Sequence, residues 1–122
     1  MLEYHKMTEE EKYCIARWKY PGEYAIYNSL SYEEQKKRGF GFANPENHLY
    51  SFYDGKELVG FINLNGEDPG VFFGIGVNPD CCGKGYGQQM TRTAWEISQT
   101  LFPGKPMYLE VRTWNQRAIR CY

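Results

Sequence analysis

The order of apolar and polar positions along the chain predicts strands and helices in succession. Residues 1–7 read as a short first strand. Thr8 with Glu11 forms a capping box, after which Cys14, Ile15 and Trp18 share one helical face, and Pro21-Gly22 ends the helix. Ser31 with Glu34 is a second capping box, opening a polar helix that Gly39 stops. Residues 40–48 read as loop.

Tyr50 to Tyr53 reads as a strand, and Asp54-Gly55 is a strong hairpin signal leading into a second strand from Glu57 to Asn65. A turn at 66–70 precedes a strand from Val71 to Val77, which Asn78-Pro79 closes. Tyr86, Met90, Ala94, Ile97 and Leu101 then step at helical spacing, predicting a long helix from Gly85 to about Phe102. Pro103-Gly104 ends it. Met107, Leu109 and Val111 alternate with Tyr108, Glu110 and Arg112, the signature of a strand. A last helix runs from near Asn115 to Tyr122.

The expected order is β-α-α-β-β-β-α-β-α. Three consecutive strands joined by short turns run antiparallel, while a strand–helix–strand unit over 71–111 calls for a parallel crossover. The fold class is therefore α/β of the α+β kind, with a mixed, mostly antiparallel central sheet flanked by helices.

Composition narrows the functions. With 122 residues the chain has room for one domain, and 42% hydrophobic and 17% aromatic residues exclude a disordered chain. The 14 basic and 15 acidic residues balance to a net charge of −1, which argues against nucleic acid as a partner. No apolar run approaches the roughly 20 residues of a membrane span. The charged start of the chain lacks a signal-peptide pattern, so a cytoplasmic location with free thiols is expected. Cys14, Cys81, Cys82 and Cys121 form no C-x-x-C pair, and with His5 and His48 distant in sequence neither a metal site nor a cysteine nucleophile is expected.

The sharpest feature is VNPDCCGKGYGQQM, where Gly83, Gly85 and Gly87 alternate as a strand passes into a long helix. Glycine lets backbone amides approach a ligand closely. A helix start adds unpaired N–H groups and the positive end of the dipole, which together suit phosphate or pyrophosphate. Lys84 contributes a mobile positive charge. A P-loop is excluded because Gly85 follows Lys84, and a dinucleotide fingerprint is excluded because Gln88 and Met90 occupy its last glycine position in the two registers. Gly74 and Gly76 inside the preceding strand mark either a bulge that serves packing or a close approach by a ligand.

Val77-Asn78-Pro79 followed by Cys82-Gly83-Lys84-Gly85-Tyr86-Gly87 resembles the acetyl-CoA motif [RQ]-x-x-G-x-[GA] of the GNAT family of N-acetyltransferases. Cys82 stands where the family has Arg or Gln. The segment LEVRTWNQRAIRCY resembles the family's L-E-V-x-x-x-N-x-x-A-x-x-x-Y. The likeness is specific over 57–122 and weak over 1–50. It implies acetyl transfer from acetyl-CoA to a primary amine on a small molecule or peptide, by direct attack in a ternary complex. It implies that the pyrophosphate sits on the turn from Cys82 to Gln88. The pantetheine arm would pair with Ile75, Gly76 and Val77, with Asn115 also contacting the cofactor. In the family a bulge in this strand splays it from the next and opens a slot for the thioester, where a backbone N–H polarises the carbonyl.

By the same resemblance Tyr122 is the proton donor to the departing thiolate. Glu110 matches a glutamate proposed as base in the relatives that acetylate ribosomal proteins, and alternation sets it opposite Leu109 and Val111. Water-relayed deprotonation, Glu67 and Asp68 are the alternatives, and Glu110 paired with Arg112 on the surface is the structural one. KYPGEYAIYN and the loop after Gly39 match the acceptor pocket. A non-catalytic acyl-CoA-binding module is the rival reading. The family continues past this tyrosine with further strands. Either the chain is one domain truncated at its C-terminus, or a second copy in a homodimer covers the open sheet edge.

Overall fold

The computed structural model describes residues 2–18, 31–39, 41–66, 70–81 and 84–108. Strand β1 covers Glu3–Lys6. Helix α1, Glu9–Ala16, starts on the expected box: Thr8 Oγ1 accepts the Glu11 amide at 3.2 Å and Glu11 Oε1 accepts the Thr8 amide at 2.8 Å. It ends earlier than expected. The amides of Arg17 and Trp18 bond the carbonyls of Cys14 and Ile15, tightening the last turn, and Pro21-Gly22 lies outside the described residues. The buried face also differs: it is Glu11, Ile15 and Ala16, whereas Cys14 is exposed.

Helix α2, Tyr32–Arg38, has half of its expected box. Ser31 Oγ accepts the Glu34 amide at 3.3 Å, but the Glu34 carboxylate turns to Lys37 and Arg38 instead of reaching back. Gly39 closes the helix in the left-handed region at φ 68°, where glycine carries no Cβ penalty. The region expected as loop holds more order. A 3₁₀ turn covers Gly41–Ala43, because Gln35 Oε1 accepts the Phe42 amide at 2.8 Å and Asn47 Nδ2 donates to the Gly41 carbonyl at 2.7 Å.

Strands β2 (His48–Asp54), β3 (Glu57–Gly66) and β4 (Val71–Val77) form an antiparallel meander, with the hairpin turn at Asp54-Gly55 as expected. A 3₁₀ turn at Pro79–Cys81 comes next, then helix α3, Tyr86–Leu101, and strand β5, Met107–Tyr108. The sheet order is β1-β2-β3-β4-β5, antiparallel except for the parallel pair β4–β5. The mixed, mostly antiparallel sheet with flanking helices is the expected architecture.

Period-two alternation divides the core between the two faces. On one, Ile62, Leu64, Val71 and Phe73 pack with Met90, Ala94 and Ile97 of α3. On the other, Leu49 and Phe61 meet Ile15, Tyr32 and Phe42 from α1, α2 and the 3₁₀ turn. The apolar stripe of α3 and the β-α-β crossover together fix where that helix begins. Its N-terminus stands just beyond the C-terminal end of β4.

Candidate functional site

The site begins where β4 stops. Asn78 ends the strand by four bonds: its amide donates to the Val59 carbonyl at 2.8 Å, and its side-chain Nδ2 to the Leu58 carbonyl at 3.0 Å. Its Oδ1 accepts the Asp80 amide at 3.0 Å and its carbonyl the Cys81 amide at 2.8 Å. The chain is thereby folded back towards α3. Cys81 is buried, and its thiol donates to Glu57 Oε1 at 3.0 Å. Burial and the neighbouring carboxylate push the thiol up to about 11, so it stays protonated and serves packing, not nucleophilic chemistry.

Lys84 and Gly85 are exposed. Gly85 caps α3 in the left-handed region, φ 81° and ψ 6°, with no side chain bonded to the helix amides and no acidic residue in the first turn. A Cβ placed on Gly85 would meet no atom of the described residues within 4 Å. Among the described residues, then, no side chain takes up the first amides of this 16-residue helix at the positive end of its dipole. That end fits an anionic group such as a pyrophosphate. Gly87 lies in the first turn, its carbonyl accepting the Thr91 hydroxyl at 2.7 Å, and Gln88 is exposed beside it.

Tyr86 fixes this turn from the other side. Its hydroxyl donates to Asp54 Oδ2 at 2.7 Å, joining the first residue of α3 to the β2–β3 hairpin. That bond, with burial and the Asp54 charge, pushes the phenol up to about 12. Asp54 and Asn78 are the two site-shaping residues that sequence reasoning assigned only to a hairpin turn and a strand end. The hairpin signal located Asp54, but nothing in the sequence pointed it at Tyr86.

Ile75, Gly76 and Val77 occupy the end of β4, half-buried and opposite Ile62, Phe61 and Gly60 of β3. The bulge expected to splay this strand from the next one falls beside residues after Tyr108, outside the described residues. The β3–β4 register runs unbroken from Gly60↔Val77 to Gly66↔Val71, and the irregularity lies in the β2–β3 pair, between Phe52 and Tyr53. Gly76 also has a packing reason: a Cβ there would run into the Phe61 ring, which covers the glycine across the strand pair. Gly74 is different, since a Cβ would stand 3.6 Å from Asn63 Cβ, an ordinary contact. On its other edge β4 pairs with β5 at Val71↔Met107 and Phe72↔Tyr108, and Leu109 and its successors lie outside the described residues.

The structure thus brings Ile75, Gly76, Val77, Lys84, Gly85, Tyr86, Gly87 and Gln88 to one end of the sheet. Cys82, Gly83, Glu110, Asn115 and Tyr122 lie outside the described residues, as do Glu67 and Asp68. Among the described residues no group of three or more His, Cys, Asp or Glu could hold a metal ion, and no helix is long and apolar enough to cross a membrane.

A search of curated proteins finds no match. Solved structures do match. Spermidine N-acetyltransferase from Vibrio cholerae in complex with CoA and spermine has a TM-score of 0.72 at 19% identity, over 99% of this chain and 77% of that one. A dodecameric form of the Vibrio cholerae protein gives 0.73 at 18% identity, over 99% and 75%. The ribosomal-protein-S18-alanine N-acetyltransferase from Escherichia coli gives 0.72 at 17% identity, over 100% and 74%. These likenesses show the fold. The model of the acetyltransferase (GNAT) family matches residues 9–122. With that match over nearly its whole length, and with Gly85 at the head of α3, the chain belongs to the acetyltransferase (GNAT) family.

Proposed function

We propose that residues 1–122 form one N-acetyltransferase domain that moves an acetyl group from acetyl-CoA to a primary amine. The observation that carries this reading is the uncapped N-terminus of α3 behind left-handed Gly85, at the end of β4 and without an acidic residue in its first turn. Its amides would hold the pyrophosphate, with Lys84 adding charge from solvent. The end of β4, from Ile75 to Val77, would pair with the pantetheine arm and set the thioester beside the acceptor. Asn115 would contact the cofactor from the last helix.

In the reaction the amine nitrogen attacks the thioester carbon within a ternary complex. The carbonyl oxygen takes up negative charge and then re-forms its double bond as the C–S bond breaks. The amine proton passes to a base, with Glu110 the candidate, and Tyr122 gives its proton to the leaving thiolate. The acceptor is a small amine or a peptide amino terminus. The Vibrio cholerae and Escherichia coli proteins named above support both classes, so spermine, spermidine and an alanine-starting peptide head the panel. The dodecameric neighbour supports self-association, which gel filtration reads directly.

The second reading, an acyl-CoA-binding module without turnover, is favoured by Cys82 at the position where the family carries Arg or Gln. Two measurements separate the readings. Acetyl-CoA at a hundredfold excess over its Kd adds about 2.7 kcal/mol and raises Tm by several degrees. Thiol release over the amine panel then reports chemistry, and Tyr122→Phe slows it without weakening binding. No Tm shift removes both readings, and a shift without turnover on any amine leaves the binding module.

A further inference from the structure

At the end of the sheet opposite the glycine turn, a cavity of about 550 Å³ opens between β1, α1, α2 and the start of β2. Its volume is in the range of small-molecule sites. Its walls include Lys6, Glu9, Lys12, Tyr32, Lys36 and His48. Among the described residues its walls carry three ammonium groups and one carboxylate, Glu9, with Glu33 paired to Lys36 beside them.

The cationic groups are arranged around a fixed element. Tyr32 is buried, with its hydroxyl donating to Glu9 Oε1 at 3.2 Å. Lys12 Nζ stands 5.7 Å and Lys36 Nζ 4.9 Å from the centre of its ring. Lys36 also donates to the Tyr13 hydroxyl at 2.6 Å, and Lys12 to Glu9 Oε1 at 3.3 Å. Glu33 forms an ion pair with Lys36 at 3.9 Å and accepts the Tyr13 hydroxyl at 2.7 Å. Both ammonium groups are therefore held against one ring, with donor capacity left over, since each carries three N–H bonds. Lys6, from the end of β1, adds a third charge on the wall. Two cations held at one ring repel each other, and an anion in the cavity relieves that repulsion.

We propose that this cavity is a second binding site, for a small polyanion bearing carboxylate or phosphate groups. A concave site of this size with separate lysine charges suits a compact molecule with two or three anionic groups, and not the extended stripe that nucleic acid needs. The site is remote from the end of β4 and does not depend on the acetyl-transfer reading.

The test is a titration of the full chain with citrate and with inorganic phosphate, followed by amide chemical shifts, with acetate at matched ionic strength as the control. Saturable shifts at Lys12, Tyr32, Lys36 and His48 with citrate, phosphate or both are expected, and the two arms tell carboxylate from phosphate preference. K12Q and K36Q each raise Kd at least tenfold with the far-UV spectrum unchanged, while G85E leaves Kd unchanged. The proposal is overturned if neither probe exceeds acetate, or if K12Q and K36Q bind as tightly as the parent chain. Shifts confined to residues 84–88 and abolished by G85E also overturn it, because the anion then sits on the glycine turn.

Discussion

Tyr86 and Asp54 are separated by 32 residues and joined by a 2.7 Å hydrogen bond. Through it the hairpin between β2 and β3 holds the first residue of α3, and so helps set the angle at which the helix amides meet solvent. Because the bond is exposed, its contribution to folding is small, but its contribution to geometry falls on the proposed cofactor cradle. Tyr86→Phe and Asp54→Asn should each raise KM for acetyl-CoA a few-fold while leaving kcat and KM for the amine near the parent values. The double variant should be no worse than either single, as expected of two groups acting through one bond. Additive losses would show that each residue acts separately.

Gly85 separates backbone strain from charge. At φ 81° any side chain is strained, by about 1 kcal/mol, although space around the Cα is open. Gly85→Ala should therefore lower stability by about that amount and retain CoA binding. Gly85→Glu carries the same strain plus a carboxylate at the helix amides, and should abolish binding with the far-UV spectrum unchanged. Calorimetric titration of both variants reads the difference. Equal affinities would remove the turn as an anion site.

The two glycines of β4 should respond in opposite ways. Gly76→Ala drives a methyl into the Phe61 ring, which itself packs edge-on against Phe42 at 5.3 Å between centroids. Moving the half-buried ring would disturb that pair, so a loss of about 1–3 kcal/mol is expected. Gly74→Ala meets only ordinary contacts and should leave stability unchanged or slightly higher. Phe61→Leu in the Gly76→Ala background should recover part of the loss. Urea melts of the four chains provide the comparison, and equal midpoints for the two alanine variants would contradict it.

What was legible in the sequence is what depends on neighbours along the chain. The α3 stripe of Met90, Ala94 and Ile97, the Thr8 box and the Asp54-Gly55 hairpin are local patterns, and each stands where expected. The glycine turn was legible because glycine reports a backbone requirement directly. What was hidden depends on partners across the sheet. Gly76 reads along the chain as a bulge or a ligand approach, and the Phe61 ring that covers it comes from β3. The sequence puts the end of α1 too late because no proline or glycine marks Arg17, and the helix stops through its own tightened last turn. Glu11 read as a capping residue, yet it is also buried against β2, a fate that its charge argues against.

That burial gives the fold an acid limit. Glu11 lies 7% exposed and accepts bonds from Tyr53 at 2.6 Å, the Thr8 amide at 2.8 Å, Ser51 at 2.9 Å and His5 at 2.8 Å. Burial by itself pushes the carboxyl up, but the four donors outweigh it and hold the group at about 2, against an ordinary 4.5. A folded-state value below the unfolded one stabilises at pH above about 4.5, and the contribution is lost as pH falls towards 2. Its size is on the order of 3 kcal/mol. Tyr53, pushed up to about 12 by burial and by Glu11, sets the alkaline counterpart: its contribution is full below pH 10.0 and lost as pH rises towards 12. Glu11→Gln should be destabilised at neutral pH, because a carboxamide cannot accept all four donors and brings its own N–H groups. Its stability should then change less than the parent's between pH 4.5 and 2, so that the two curves converge in acid. Urea midpoints measured across that window test the point. Parallel curves would mean that Glu11 titrates in the folded protein as it does in the unfolded chain.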